Sequence, residues 1–310
     1  MSARTAQPRK GLSLDKKESV WGYLFVSPWV VGFLLFTLFP LLFSLYASFT
    51  NYDITSRMNF IGLGNYERMF FHDALFWKSL GNTLYYVAVS VPLSTACALL
   101  VAVALNQKIP GMRLFRTIYY LPAVLSGVGV YFLWMQLLNP GSGIVNLVLS
   151  WFHIEGPAWL TDPQWTKPAV IFMKLWAVGG GMLLYLASLQ AVPEQLYEAA
   201  ELDGASVLQR FYHVTLPMIS PVIFFELVTG IIGGFQIFQE GYVMTENGTG
   251  GPQNSLLFYN LHMWHKAFTV FDMGYASAMA WILFVIVIIL TVLNLKLSRR
   301  WVYYEGGDGR

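Results

Sequence analysis

Glu198-Ala199-Ala200-Glu201-Leu202-Asp203-Gly204-Ala205 is the most polar passage in the second half of a chain that is otherwise almost continuously apolar. It reads as a helix, a turn and a second helix between two long hydrophobic segments. Pro193 suits the first turn of the first helix, where its missing N–H costs nothing. Leu196, Ala199 and Ala200 then share one face at i, i+3 and i+4. Asp203-Gly204 stops the helix, because Gly204 takes the left-handed conformation at little cost. Ser206 with Gln209 is a capping-box pattern that restarts a helix, and Leu216-Pro217 closes the loop. A small-residue face in such a loop points to contact with another molecule.

Composition says what surrounds that loop. Of 310 residues, 56% are hydrophobic and 12% charged, against about 25% charged in soluble domains. Eleven tryptophans contribute to an aromatic share of 16%, as expected where amphipathic rings line both membrane interfaces. A net charge of +2, with no basic stripe interleaved with aromatics, argues against nucleic acid. The single cysteine, Cys97, excludes an intrachain disulfide, and a small buried hydrophobe is its expected role.

The pattern predicts an all-α polytopic membrane protein with six transmembrane helices, at about 21–50, 80–105, 117–138, 168–190, 218–244 and 274–295. Each is near the roughly 20 apolar residues that a span requires. The first apolar run is far longer than the 7–15 residues of a signal-peptide core, so it is expected to stay in the membrane. The expected organisation is a polar tail over 1–19, a single transmembrane domain over 20–297 containing the central loop 191–216, and a second tail over 298–310. Six spans put both termini on one side. The two tails, the central loop and the loop after the second span hold thirteen of the nineteen Lys and Arg residues, and the opposite side holds six. The positive-inside rule makes the richer side cytoplasmic.

With the loop, spans and charges in place, the residues carry a family resemblance. Glu198-Ala199-Ala200, Asp203-Gly204-Ala205, Phe211, Leu216-Pro217 and Pro221 resemble the EAA loop of bacterial ABC importer permeases. Phe60-Ile61-Gly62-Leu63, Tyr120-Leu121-Pro122, Phe235-Gln236-Ile237-Phe238, Gly250-Gly251-Pro252 and Gly274-Tyr275-Ala276-Ser277-Ala278 resemble, in order, the carbohydrate branch of that family, the maltose and glycerol-3-phosphate type. The resemblance implies that the loop is a coupling helix docking on a separate cytoplasmic ATPase. Glu198 would face a basic residue there, Ala199, Ala200 and Ala205 would keep the surface flat, Gly204 would make the turn, and Asp203, Leu216 and Pro217 would complete the motif. It further implies a second permease subunit, two ATPase subunits carrying ATP and Mg, and an extracytoplasmic solute-binding protein. The location implied is a bacterial inner membrane.

No Gly-x-x-x-x-Gly-Lys-[Ser/Thr] stretch occurs, so no cofactor is expected on this chain and no enzymatic activity of its own. His262 and His265, at i and i+3, would bind a metal only weakly, and a solvated pair is the expectation. Ionisable groups inside spans are costly and default to function. Lys174, Glu226 and Glu240 are therefore singled out, the last with Gln236 and Gln239 beside it. Hydrogen-bonding side chains near aromatic ones suit a sugar's hydroxyl edges and apolar ring faces. In the family, binding residues come from segments matching 174–181 and 230–237, which yields Lys174, Trp176, Gly181, Gly233, Gly234, Gln236 and Ile237 as pathway candidates with Glu240. The glycines replace bulky polar groups, so the family's contacts do not carry over individually. Close helix packing of Gly230 with Gly234 and a widened cavity both fit them. A secondary transporter would show internal repeats, and none is evident. A phosphorylated solute such as glycerol-3-phosphate is less favoured, since no span contains an arginine to hold it bidentately.

Overall fold

The structure is a computed structural model and describes residues 14–303 apart from 56, 108 and 126. The outer parts of both predicted tails, 1–13 and 304–310, lie outside the described residues. Those described form helices and loops with no strand, and pair otherwise only in two isolated bridges, Thr50 with Phe60 and Asp53 with Asp272. Among the described residues, four helices are long and apolar enough to cross a membrane: α1 (Trp21–Ser48), α3 (Ala74–Leu105), α10 (Val207–Val243) and α12 (Met273–Ser298). Two bent pairs qualify jointly, α4 (Met112–Val124) with α5 (Val128–Leu137), turning by 106°, and α7 (Thr166–Trp176) with α8 (Gly179–Ala191), turning by 45°. Counting each pair as one span gives six. Shorter helices connect them: α2 (Gly64–Phe71), α6 (Ile144–Trp151), α9 (Glu194–Leu202) and α11 (Tyr259–Trp264).

Prolines shape two of the long helices. Pro40 and Pro217 each follow a widened π turn, Leu34–Leu38 and Phe211–Thr215. A proline lacks the N–H and its ring crowds the carbonyl four residues back, and a turn with one extra residue relieves that clash. Pro28, in the same span as Pro40, lies in regular helix. Because the π turn absorbs Pro217, helix continues from Val207 into the span, and Leu216-Pro217 does not close the loop as its sequence suggests.

α3 is the central post, packed against α7, α8, α10 and α11, while α12 packs on α1 and α2. Its apolar surfaces meet Trp134, Val170, Phe235 and Phe258 in one cluster and Met182, Tyr185 and Ile219 in another. Polar groups in α3 fasten the long connection before α11. Asn82 Nδ2 donates to the carbonyls of Asn254 (2.8 Å) and Leu257 (3.0 Å), and the Thr83 hydroxyl accepts from Tyr259 N–H at 2.9 Å.

A half-buried acid, Asp73, ties the ends of three helices together. Asp73 Oδ1 caps α3 by accepting from the N–H groups of Leu75 and Phe76. Its Oδ2 accepts from Tyr275 OH (2.7 Å) and lies 3.1 Å from His262 Nε2 and 3.3 Å from Lys266 Nζ. Arg68 pairs with Asp272 at 2.7 Å and stacks over the Tyr275 ring. Burial raises the Asp73 carboxyl, but the hydrogen bonds from Tyr275 and His262 and the Lys266 charge outweigh it and hold the group well below the usual carboxylate range. Burial pushes His262 below its ordinary value against the pull of Asp73, so the neutral ring donates from Nε2. The histidine pair expected to be solvated is thus divided: His262 is buried on Asp73, and His265 Nε2 lies 2.6 Å from the Gly248 carbonyl.

A depressed histidine binds more protons unfolded than folded. Its contribution is therefore present above about pH 6.5, the unfolded value, and is lost as pH falls toward the folded value. The thermal midpoint of the detergent-purified protein is expected to drop between about pH 7 and pH 5.5, and His262→Asn should flatten that slope. An unchanged slope in the variant would remove His262 from this role.

Candidate functional site

A cavity of about 460 Å³ opens among α3, α5, α7 and α10. α3 contributes Tyr86, Ser90 and Ser94, α5 Tyr131, α7 Lys174, and α10 the stretch from Thr229 to Glu240. The wall is thus hydroxyl and amide groups and two charged side chains, Lys174 and Glu240, with the Tyr86, Tyr131 and Phe238 rings between them. Tyr131 OH donates to Gln239 Oε1 at 3.2 Å, and Lys174 lies within electrostatic reach of both Glu226 and Glu240.

Two helix breaks meet here. α7 ends at Trp176, two residues beyond Lys174, before the axis turns into α8. α10 loses its helical hydrogen bonding at Gln236–Phe238, and all three residues line the cavity. In hydrocarbon, non-helical backbone persists only where protein buries it or where it borders a water-filled space. The α10 glycines divide between the two readings that the sequence allows. A Cβ on Gly230 would lie 2.9 Å from Val91, and one on Gly234 2.9 Å from Val87, so both permit close packing on α3. Gly233 meets nothing within 4 Å and opens the wall.

Of the residues singled out by sequence, Lys174, Gly233, Gly234, Gln236, Ile237 and Glu240 line this cavity together. Trp176 and Gly181 are not among the lining residues. Trp176 packs edge-on against Trp134 at 5.7 Å, and Gly181 admits the Glu226 carboxylate, which lies 3.2 Å from where its Cβ would be. The sequence reading missed Tyr86, Ser90, Ser94 and Tyr131. The first three recur at i, i+4 and i+8, a polar stripe within an uncharged span, and that periodicity is the signal that finds them.

The opening motif forms a separate surface. α9 starts after Pro193, which is its N-cap rather than its first helical residue, and ends in a Schellman turn. Gly204 at φ +77° places its N–H on Glu201 O (3.0 Å) and the Ala205 N–H on Ala200 O (2.9 Å). Ser206 and Gln209 form the capping box. Arg210 to Glu201 (2.9 Å) and Tyr197 OH to Thr215 (2.9 Å) brace α9 against α10. Glu198, Ala199, Asp203 and Gly204 are exposed at this tip and Ala200 and Ala205 half-buried, while Leu216 and Pro217 lie back inside α10. Leu202, 90% exposed, and Val207 and Leu208 add apolar surface that the motif itself does not mark.

Residues 76–303 match the family described as binding-protein-dependent transport system inner membrane component. The chain belongs to that family. It is 39% identical over 99% of its length, and all of the relative's, to the probable ABC transporter permease protein YesP of Bacillus subtilis (strain 168). It is 37% identical to the lactose transport system permease protein LacF of Rhizobium radiobacter, over 93% of this chain and 97% of LacF. It is 32% identical to the arabinooligosaccharides transport system permease protein AraP of Halalkalibacterium halodurans, over 96% and 94%. Among solved structures, a chain of a bacterial alginate ABC transporter, in complex with an alginate pentasaccharide-bound periplasmic protein, superposes with a TM-score of 0.81. That pair shares 25% identity, with 93% of this chain and 97% of the other covered.

Neighbouring glycines should respond oppositely to substitution. Gly234→Leu drives a side chain into Val87 and is expected to destabilise by about 1–3 kcal/mol, as overpacking does. Gly233→Leu projects into open space and should leave the thermal midpoint of the purified protein within about 1 °C of wild type, since its cost is not one of packing. Equal losses at both positions would show that Gly233 does not face the cavity.

Proposed function

We propose that this chain is a permease subunit of an ATP-binding-cassette importer for a sugar or oligosaccharide. The observation that carries the reading is the cavity itself: hydroxyls, amides and aromatic rings gathered where two spans break. Such a wall offers hydrogen bonds to sugar hydroxyls and faces for sugar rings, and no arginine among the described residues lines it. Family membership and relatives named for lactose and arabinooligosaccharide transport support the same solute class.

In this reading the subunit pairs with a second permease, and each contacts one of two cytoplasmic ATPase subunits, which carry ATP and Mg. A solute-binding protein delivers the sugar on the far side of a bacterial inner membrane. Both termini and α9 are cytoplasmic, as the charge asymmetry indicates. Glu198 presents a carboxylate to the ATPase, Ala199, Ala200 and Ala205 keep the surface flat, and Leu202, Val207 and Leu208 supply the apolar contact. Closure of the ATPases moves α9, and the brace from Arg210 and Tyr197 passes that motion into α10, whose far end borders the cavity. Alternating access then exposes Lys174, Gln236 and Glu240 to one side of the membrane at a time.

Gly204 isolates the coupling step, because space around it is open and only its backbone conformation constrains the side chain. A β-branched residue in the left-handed region is strained by about 1–2 kcal/mol, whereas asparagine tolerates it. In the complete transporter, Gly204→Val is expected to reach the membrane normally and lose oligosaccharide uptake, and Gly204→Asn to retain most of it. Wild-type uptake by Gly204→Val, or robust uptake by this chain alone in proteoliposomes, would refute the reading.

A further inference from the structure

The end of the bundle that carries α9 also holds two adjoining hollows outside the cavity. One is an apolar groove of about 430 Å³ between the last turns of α3 and the start of α4, lined by Leu100, Val101, Ala104, Phe115 and Tyr119 among others. The other is a polar pocket of about 530 Å³ that includes Gln107, Arg113, Arg116 and Gln190. Met112 belongs to both, and Leu105 and Asn106, consecutive in the chain, belong one to each. The boundary between apolar and polar wall therefore falls where α3 ends, at Leu105.

That sequence of surfaces matches a phospholipid read from tail to headgroup. We infer that the paired hollows bind an anionic phospholipid, with an acyl chain along the α3–α4 groove and the phosphate between Arg113 and Arg116. Charge complementarity favours an anionic headgroup in the polar pocket. Among the described residues, neither arginine lies within 4 Å of a carboxylate, and no acidic residue lines either hollow. Arg116 is held in place by its own chain: Nε and Nη2 donate to the Leu105 carbonyl at 3.3 and 2.9 Å, which fixes the guanidinium at the end of α3. Arg113, one turn earlier on the same face of α4, is exposed, and its guanidinium makes no hydrogen bond with the described residues, while its carbonyl accepts from Thr117 Oγ1. Two cations at i and i+3 beside the Gln107 and Gln190 amides suit a phosphate diester, and the groove supplies apolar depth that a free phosphate does not use. A headgroup here would sit beside Gln190, immediately ahead of α9, so lipid composition would bear on the coupling surface without touching the cavity.

The test uses the complete transporter in nanodiscs containing a photo-crosslinkable phosphatidylglycerol or the matching phosphatidylcholine. Phosphatidylglycerol is expected to label peptides of α3 and α4, phosphatidylcholine to label them weakly, and millimolar inorganic phosphate to leave the labelling unchanged. Arg113→Gln, which removes no side-chain hydrogen bond or ion pair among the described residues, should lower phosphatidylglycerol labelling about fivefold, the effect of one cation near a membrane surface. Equal labelling by both lipids, or an undiminished signal in Arg113→Gln, would overturn the inference. Displacement by phosphate would show a simple anion site, and crosslinking of the groove to a partner subunit would show a protein occupant. Either result also overturns it.

Discussion

Every break in a membrane helix exposes backbone N–H and C=O groups that lipid cannot satisfy, and each such group left unpaired costs several kcal/mol. Among the described residues, breaks fall between α4 and α5, at 177–178 and at Gln236–Phe238. The α10 break borders the cavity, and α7 delivers Lys174 to it one turn before its own break. The cavity is thus where irregular backbone and a charged side chain are both tolerated, and their convergence separates it from the other hollows of the molecule.

Holding two broken helices in register requires an unbroken one beside them, and α3 fills that place. Val87 and Val91 meet the flat faces left by Gly234 and Gly230, so α10 approaches closely without closing the wall at Gly233. At its start α3 is capped by Asp73, which also gathers Tyr275, His262 and Lys266. A little further on, Asn82 and Thr83 hold the connection that leads into α11. Buried polar groups in an apolar setting are stable only when paired, and these are paired with partners from the far half of the chain. α3 therefore joins the α9 end, the cavity wall and the opposite end in one rigid element.

Local features were the ones legible in the sequence. The turn at Gly204 and the Ser206–Gln209 box are decided within a few residues, and both form as their spacing indicates. The cavity was partly legible, because Gln236, Glu240 and Gly233 are conspicuous on an apolar helix. Trp176 and Gly181 entered as members of the segment 174–181 that the family resemblance marks as a whole, and packing keeps both off the lining: Trp176 packs edge-on against Trp134, and Gly181 makes room for Glu226. Leu216-Pro217 read as a stop because the sequence does not announce a π turn. The Asp73 cluster was not legible at all: its partners His262 and Tyr275 lie 189 and 202 residues away. Only the packing of α12 and α11 onto α3 brings them together.

The central claim is that solute passes through the cavity beside Gly233. Cys97 is the only native cysteine, so Gly233→Cys in a Cys97→Ser background reports on that wall alone. Reaction with a membrane-impermeant thiol reagent can be followed in the complete transporter, with and without ATP and oligosaccharide. The account predicts labelling that changes with the nucleotide state and is slowed by a transported oligosaccharide. Labelling that ignores both, in a transporter that still imports, would contradict it.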